Sequence, residues 1–149
     1  MKNANSTASL VLDSFALLAY LLDEPGAADV EAVLEMGRAG QRKLWVCVVN
    51  WGEVLYHTER RRGQTAVREC ASLMDELPVM IVDADRQLTF AAAHIKANHS
   101  LCFADAFVVA LAQAKNAAVL TGDPEFKRVE SLVRVEWLAR PGRQRAARR

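Results

Sequence analysis

The sequence predicts an α/β fold: a three-layer sandwich in which helices cover both faces of a short parallel sheet of four or five strands. Three observations lead there. Strand-like segments alternate with helical ones along the whole chain. The strand-like segments, such as LVL, LWVCVV and AVLT, are continuous apolar runs rather than alternating ones, as expected of strands buried on both faces. The 149 residues, 52% of them apolar and 25% charged, suit one domain with its own core.

Residues 1–8 are polar and are expected to form a flexible N-terminus. Leu10–Asp13 makes the first strand. Ser14 is expected to cap a helix over Phe15–Leu22, which Pro25-Gly26 ends. Ala27–Arg38 follows as a helix with Val30, Val33 and Leu34 on one face, closed by Gly37 and Gly40. Leu44–Val49 is rich in β-branched residues and reads as the second strand. Asn50, with Glu53 three residues on, has the spacing of a capping box, and its helix runs to Arg62 and stops at Gly63. Another helix fits Thr65–Leu77, and Pro78 opens a third strand at Val79–Val82. Asp83–Asn98 carries Leu88, Ala91, Ala92 and Ile95 at helical spacing. Ser100–Lys115 is apolar almost all round and is expected to be a buried helix. Ala118–Thr121 is the fourth strand. Gly122-Asp123-Pro124 turns into a short helix, and Val133–Trp137 is a last strand.

The net charge of +1 is unevenly spread, because the last ten residues, RPGRQRAARR, hold five Arg and no acid. The rest of the chain is mildly acidic. Domain limits of 9–138 follow, with a basic, disordered tail expected at 139–149. The longest apolar stretch, Leu10–Leu22, contains Asp13 and is shorter than the roughly 20 residues a membrane span needs, so no membrane association is expected. Cys47, Cys70 and Cys102 are too widely spaced for a CxxC zinc site or a disulfide framework. Buried thiols in the reducing cytoplasm are expected. His57, His94 and His99 form no HExxH pattern, and no GxxxxGK[ST] or GxGxxG is present.

Four carboxylates stand alone in segments that otherwise resemble core. Asp13 is the only charge between Lys2 and Asp23, Glu53 between Lys43 and Glu59, and Asp105 between Lys96 and Lys115. Asp123 is the first charge after Lys115. Burying an unpaired carboxylate costs several kcal/mol. Connectivity puts Asp13, Glu53 and Asp123 at the carboxyl edge of the sheet, where ligands of open α/β sheets bind, and Asp105 joins them if its helix starts there. A divalent cation would relieve their repulsion, and an oxygen-only donor set suits Mg²⁺ or Mn²⁺. Each acid also has a simpler role open to it at a helix N-terminus, as a cap or a favourable charge.

The segments LVLDSFALLAYLLDEPG, VVNWGEVLYHTERRRG and LCFADAFVVALAQAKNAAVLTGDPEF resemble PIN-domain nucleases, and most closely the VapC-type toxins of toxin–antitoxin pairs. The likeness spans residues 9–138 and implies a PIN-like sandwich. It implies an endoribonuclease whose acidic quartet, here Asp13, Glu53, Asp105 and Asp123, holds Mg²⁺ or Mn²⁺. A metal-activated water would cleave RNA to leave a 5′-phosphate and a 3′-hydroxyl. By matched position Thr121 supports the metal site, Ser14 is a further supporting residue, and Glu125 stands where some members carry an additional acid. Arg60, Arg61, Arg62 and the tail are candidates for RNA contact. The resemblance also implies a VapB-type antitoxin as partner, and a homodimer is expected. The apolar residues Leu17, Leu18, Leu21, Leu22, Val30, Val33 and Leu34 are expected to leave a groove for the antitoxin.

Other readings have features against them. A phosphatase with Asp13 as nucleophile would want a second acid where Phe15 stands. A phosphoacceptor domain would want paired acids after the first strand. A non-catalytic PIN-like interaction domain would be favoured by loss of one quartet acid, and all four are present. A stand-alone RNA-processing nuclease, without antitoxin, differs only in its genetic neighbourhood.

Overall fold

The computed structural model describes residues 9–139. The flexible terminus expected at 1–8, and all of the expected tail except Ala139, lie outside these residues.

Five strands form one parallel sheet: β1 (Leu10–Leu12), β2 (Leu44–Cys47), β3 (Met80–Val82), β4 (Ala118–Thr121) and β5 (Val135–Trp137). Their order is β3-β2-β1-β4-β5. The helices are α1 (Ser14–Leu21), α2 (Ala27–Arg38), α3 (Val48–Arg62), α4 (Gln64–Glu76), α5 (Arg86–Asn98) and α6 (Phe103–Lys115), with a short 3-10 helix at Pro124–Val129.

Strand side chains alternate between two cores, which makes the three layers. Leu10, Leu12, Leu44, Val46, Ala118 and Leu120 point into a core shared with α1, α2 and α4 and with Val54 of α3. Val11, Cys47 and Val119 point the other way, against α5, α6 and Phe126. Strands β1 and β4 are buried at every position, so their continuous apolar runs follow from double coverage. Helix α6 is buried from Asp105 to Ala112, as its all-round apolar character requires.

Several boundaries differ from expectation, each for a local reason. Asp13, not Ser14, caps α1: its side chain accepts from Ala16 N, and Ser14 is the first helical residue. Val48 and Val49 belong to α3 rather than to the second strand, so Asn50 lies inside the helix and cannot be its cap; Cys47 holds that position. Asp85 caps α5 through Leu88 N, which starts that helix at Arg86 rather than Asp83. Helix α6 begins at Phe103 rather than Ser100, after Cys102.

The expected apolar groove is also corrected. Leu17, Leu18, Leu22, Val30, Val33 and Leu34 are all buried, and Leu21 is half-buried. Helices α1 and α2 turn these faces toward each other and onto one sheet face, where they form the core itself. Among the described residues no single helix is long and apolar enough to cross a membrane.

Candidate functional site

The chain leaves β1 for β2 and β3 on one side and returns to β4 and β5 on the other. Strands β1 and β4 are therefore neighbours whose continuations diverge, and such a switch point opens a crevice at their carboxyl ends. Leu12 pairs with Leu120, so Asp13 and Thr121 meet there one residue later.

Asp13 is 2% exposed. Its Oδ1 accepts from Ala16 N at 2.9 Å, and its Oδ2 accepts a short hydrogen bond from the Thr121 hydroxyl. Thr121 Oγ1 accepts in turn from Asp123 N at 3.0 Å, and Asp123 Oδ1 accepts from Glu125 N at 2.9 Å. One threonine hydroxyl thus joins the end of β1 to the turn that carries Asp123. Ser14 is half-buried directly after Asp13, in the first turn of α1.

Asp105 comes from the first turn of α6, which does start at this edge, and its Oδ2 accepts from Cys102 Sγ at 3.1 Å. Cys47 and Cys70 are buried thiols as expected, but Cys102 is exposed beside the acids. Asn50 is fully buried and joins α3 to α6: its Nδ2 donates to Glu53 Oε1 at 3.2 Å and to the Ala104 carbonyl at 3.0 Å. Its Oδ1 has no hydrogen-bond partner among the described residues.

Oxygens of Asp105, Asp123 and Glu125 lie within 4.8 Å of one another. Asp13 and Glu53 stand outside that compact group yet interact with it electrostatically. Burial pushes the Asp13 carboxyl up to about 8, against the Thr121 and Ala16 hydrogen bonds, with repulsion from Asp105 and Asp123 adding to the rise. Burial likewise pushes Asp105 up to about 6, against the Cys102 hydrogen bond, and Asp123, Glu53 and Glu125 add to it. Although the residue is exposed, partial desolvation of its thiol, with the Asp105 and Glu53 charges beside it, drives Cys102 up to about 11, and the thiol donates to Asp105.

Glu125 therefore stands as a full member of the cluster, although it also meets Arg128 at 3.3 Å on the exposed side. Among the described residues no Lys or Arg pairs with Asp13, Glu53, Asp105 or Asp123. One buried and two half-buried carboxylates this close, of which only Glu125 has a basic partner, fit an oxygen-seeking divalent ion, and no His joins the group.

Asn50 and Cys102, which hold Glu53 and Asp105, were not legible as site residues. Asn50 could have been found from its spacing to Glu53, which suggested a cap. Cys102, three residues before Asp105, gave no distinguishing signal. The triple arginine ends α3, about 12 Å along the helix axis from Glu53. There Arg61 pairs with Glu24 at 2.8 Å, Arg62 donates to the Leu22 carbonyl at 3.3 Å, and Arg60 covers the Tyr56 ring.

The PIN domain family matches residues 10–132. No curated protein matches the sequence significantly. Similar solved structures include VapBC2 from Rickettsia felis bound to a DNA fragment from its promoter, at 15% identity and a TM-score of 0.71, over 87% of this chain and 98% of that one. VapC20 of Mycobacterium tuberculosis, a toxin that cleaves the sarcin-ricin loop, matches at 18% identity and a TM-score of 0.66, over 80% and 93%. DNA-bound VapBC from Salmonella typhimurium matches at 16% identity and a TM-score of 0.65, over 87% and 97%.

Proposed function

Since the chain belongs to the PIN domain family, we propose that it is a divalent-metal-dependent endoribonuclease and the toxin of a toxin–antitoxin pair. The observation that carries this reading is the burial of Asp13 and Asp105 without a paired cation, beside the Asp105, Asp123 and Glu125 oxygens. The likeness in fold to VapC proteins and VapBC complexes supports the toxin assignment.

Asp13, Asp105, Asp123 and Glu125 would hold the ion, with Mg²⁺ or Mn²⁺ preferred by a donor set without nitrogen or sulfur. When bound, such an ion lowers the pKa of a coordinated water and neutralises charge on the phosphate. Thr121 fixes the Asp13 carboxylate and, through the Asp123 amide, the turn beside it. Glu53 has Oε1 held by Asn50, which leaves Oε2 to accept a proton from the attacking water. The water oxygen would bond to phosphorus as the bond to the 3′ oxygen breaks, and that oxygen would take a proton from solvent, giving a 5′-phosphate and a 3′-hydroxyl. Positive charge to offset the acids would come from Arg60, Arg61, Arg62 and the five arginines of 140–149. We assign a VapB-type antitoxin as partner, a homodimeric state and a cytoplasmic location to the same reading.

The test is cleavage of single-stranded RNA with and without EDTA. Chelation is expected to abolish it, and Mg²⁺ or Mn²⁺ to restore it. Cleavage that persists in chelator, or returns only with zinc, would overturn the metal assignment.

A further inference from the structure

Phe15 is an apolar aromatic residue left 43% exposed in the second position of α1, two residues after Asp13. Its ring lies against Gly122, the residue between Thr121 and Asp123. A Cβ at Gly122 would stand 2.9 Å from the Phe15 Cζ, a distance that real packing does not allow. The ring thus rests on the backbone of the turn that carries Asp123, and 43% of the residue is left open to solvent.

Other exposed aromatics are used differently. Tyr56 stacks with His57 and lies under Arg60, Trp137 donates to Glu130, and Phe103 packs on Phe107. Phe90 is 81% exposed on α5, outside the acid cluster. Phe15 alone among these is held between two of the acid-bearing turns.

An acidic pocket gives a nucleic acid nothing sequence-tolerant to hold except through metal and phosphate. An anchored aromatic face supplies that hold, since every base has a π-face to stack. Such stacking also needs a base free of its helix, which duplex RNA does not offer. We propose that Phe15 is a positioning residue that stacks the nucleobase next to the scissile phosphate and so favours single-stranded RNA. This rests on the nuclease reading above.

The test compares full-length wild type, Phe15→Leu and Phe15→Tyr on a single-stranded RNA oligonucleotide of about eight nucleotides with one cleavage site, long enough to span one single-strand binding site. The same oligonucleotide with an abasic residue on either side of that site is run in parallel. Phe15→Leu, which keeps apolar bulk but no ring, is expected to raise KM about tenfold with kcat within about twofold, in line with the loss of one base–aromatic stack. Phe15→Tyr keeps the π-face and is expected to stay within about twofold of wild type. One abasic substitution should weaken wild type by a similar factor and Phe15→Leu hardly at all. Gly122→Ala, which displaces the ring without removing it, should resemble Phe15→Leu in KM. Equal KM for Phe15→Leu and wild type would sink the stacking role and leave the nuclease reading standing, as would an abasic penalty that is the same in both. A wild type that cleaves no RNA under any metal would remove both.

Discussion

Asp13 does two things with one carboxylate. Its Oδ1 caps α1 and its Oδ2 binds Thr121, and yet its burial makes ionisation unfavourable. A carboxyl whose folded pKa is raised binds its proton more tightly folded than unfolded. Its contribution to stability is therefore complete below the unfolded pKa near 4 and is lost as pH rises toward about 8 for Asp13 and about 6 for Asp105. Metal-free protein is expected to melt at progressively lower temperature between about pH 4 and about pH 8, and saturating Mn²⁺ should flatten that slope. A melting temperature that is level over this range in EDTA would contradict the burial argument. Asp13→Asn removes the charge and keeps an oxygen for the Ala16 amide. It should abolish RNA cleavage while leaving the metal-free melting temperature at about pH 8 equal to or above wild type. Asp123→Asn should likewise inactivate without unfolding. Variants that keep cleaving RNA but each lose about 1 kcal/mol, the worth of a cap, would leave these acids with capping alone.

At the scale of elements, Asn50 is the join between α3 and α6. Asn50→Leu removes the bonds to Glu53 and to the Ala104 carbonyl, each worth about 0.5–1.5 kcal/mol. Glu53 also loses its anchor, so stability toward urea and cleavage rate should both fall. Asn98→Ala, which removes a bond to the His94 carbonyl on an exposed surface, should change stability by no more than about 0.5 kcal/mol. The strands and the buried α6 were legible because double coverage forces apolar runs. Helix starts were less so. Val48 and Val49 are β-branched as a strand requires, but Val49 packs into the core from the first turn of α3, and tertiary contact outweighs local preference. At the N-terminus of α5, sequence alone did not separate Asp83 from Asp85 as the cap. Asp13, Glu53 and Asp105 were legible because no other charge lies near them in the sequence, and Asp123 because it is the first charge after Lys115. The long-range bonds that gather them were not, since Thr121 lies 108 residues from Asp13 and Asn50 lies 54 from Ala104.

Across the whole molecule, α1 and α2 are structural before anything else. Leu34→Ala should cost about 2–5 kcal/mol in a denaturant melt, the range for truncating a fully buried leucine. A near-neutral result would restore the idea of an open groove on that face. The opposed charges of body and tail make a second expectation. If the five arginines of 140–149 meet phosphates, replacing them with Gln should make RNA affinity less dependent on salt, by a slope of about 0.7 for each phosphate that is no longer neutralised. An unchanged slope would remove the tail from RNA binding.

The bond between Thr121 and Asp13 also orders events during translation. Chains emerge N-terminus first, and Asp13 leaves the ribosome early, without the strand that completes its surroundings. Strand β4 and the turn bearing Asp123 and Glu125 follow much later, with Thr121 separated from Asp13 by 108 positions. Until β4 docks beside β1, the carboxylates are not gathered and no crevice exists between those strands. On the nuclease reading proposed above, the chain would be unable to cut RNA until β4 has been made and has docked beside β1.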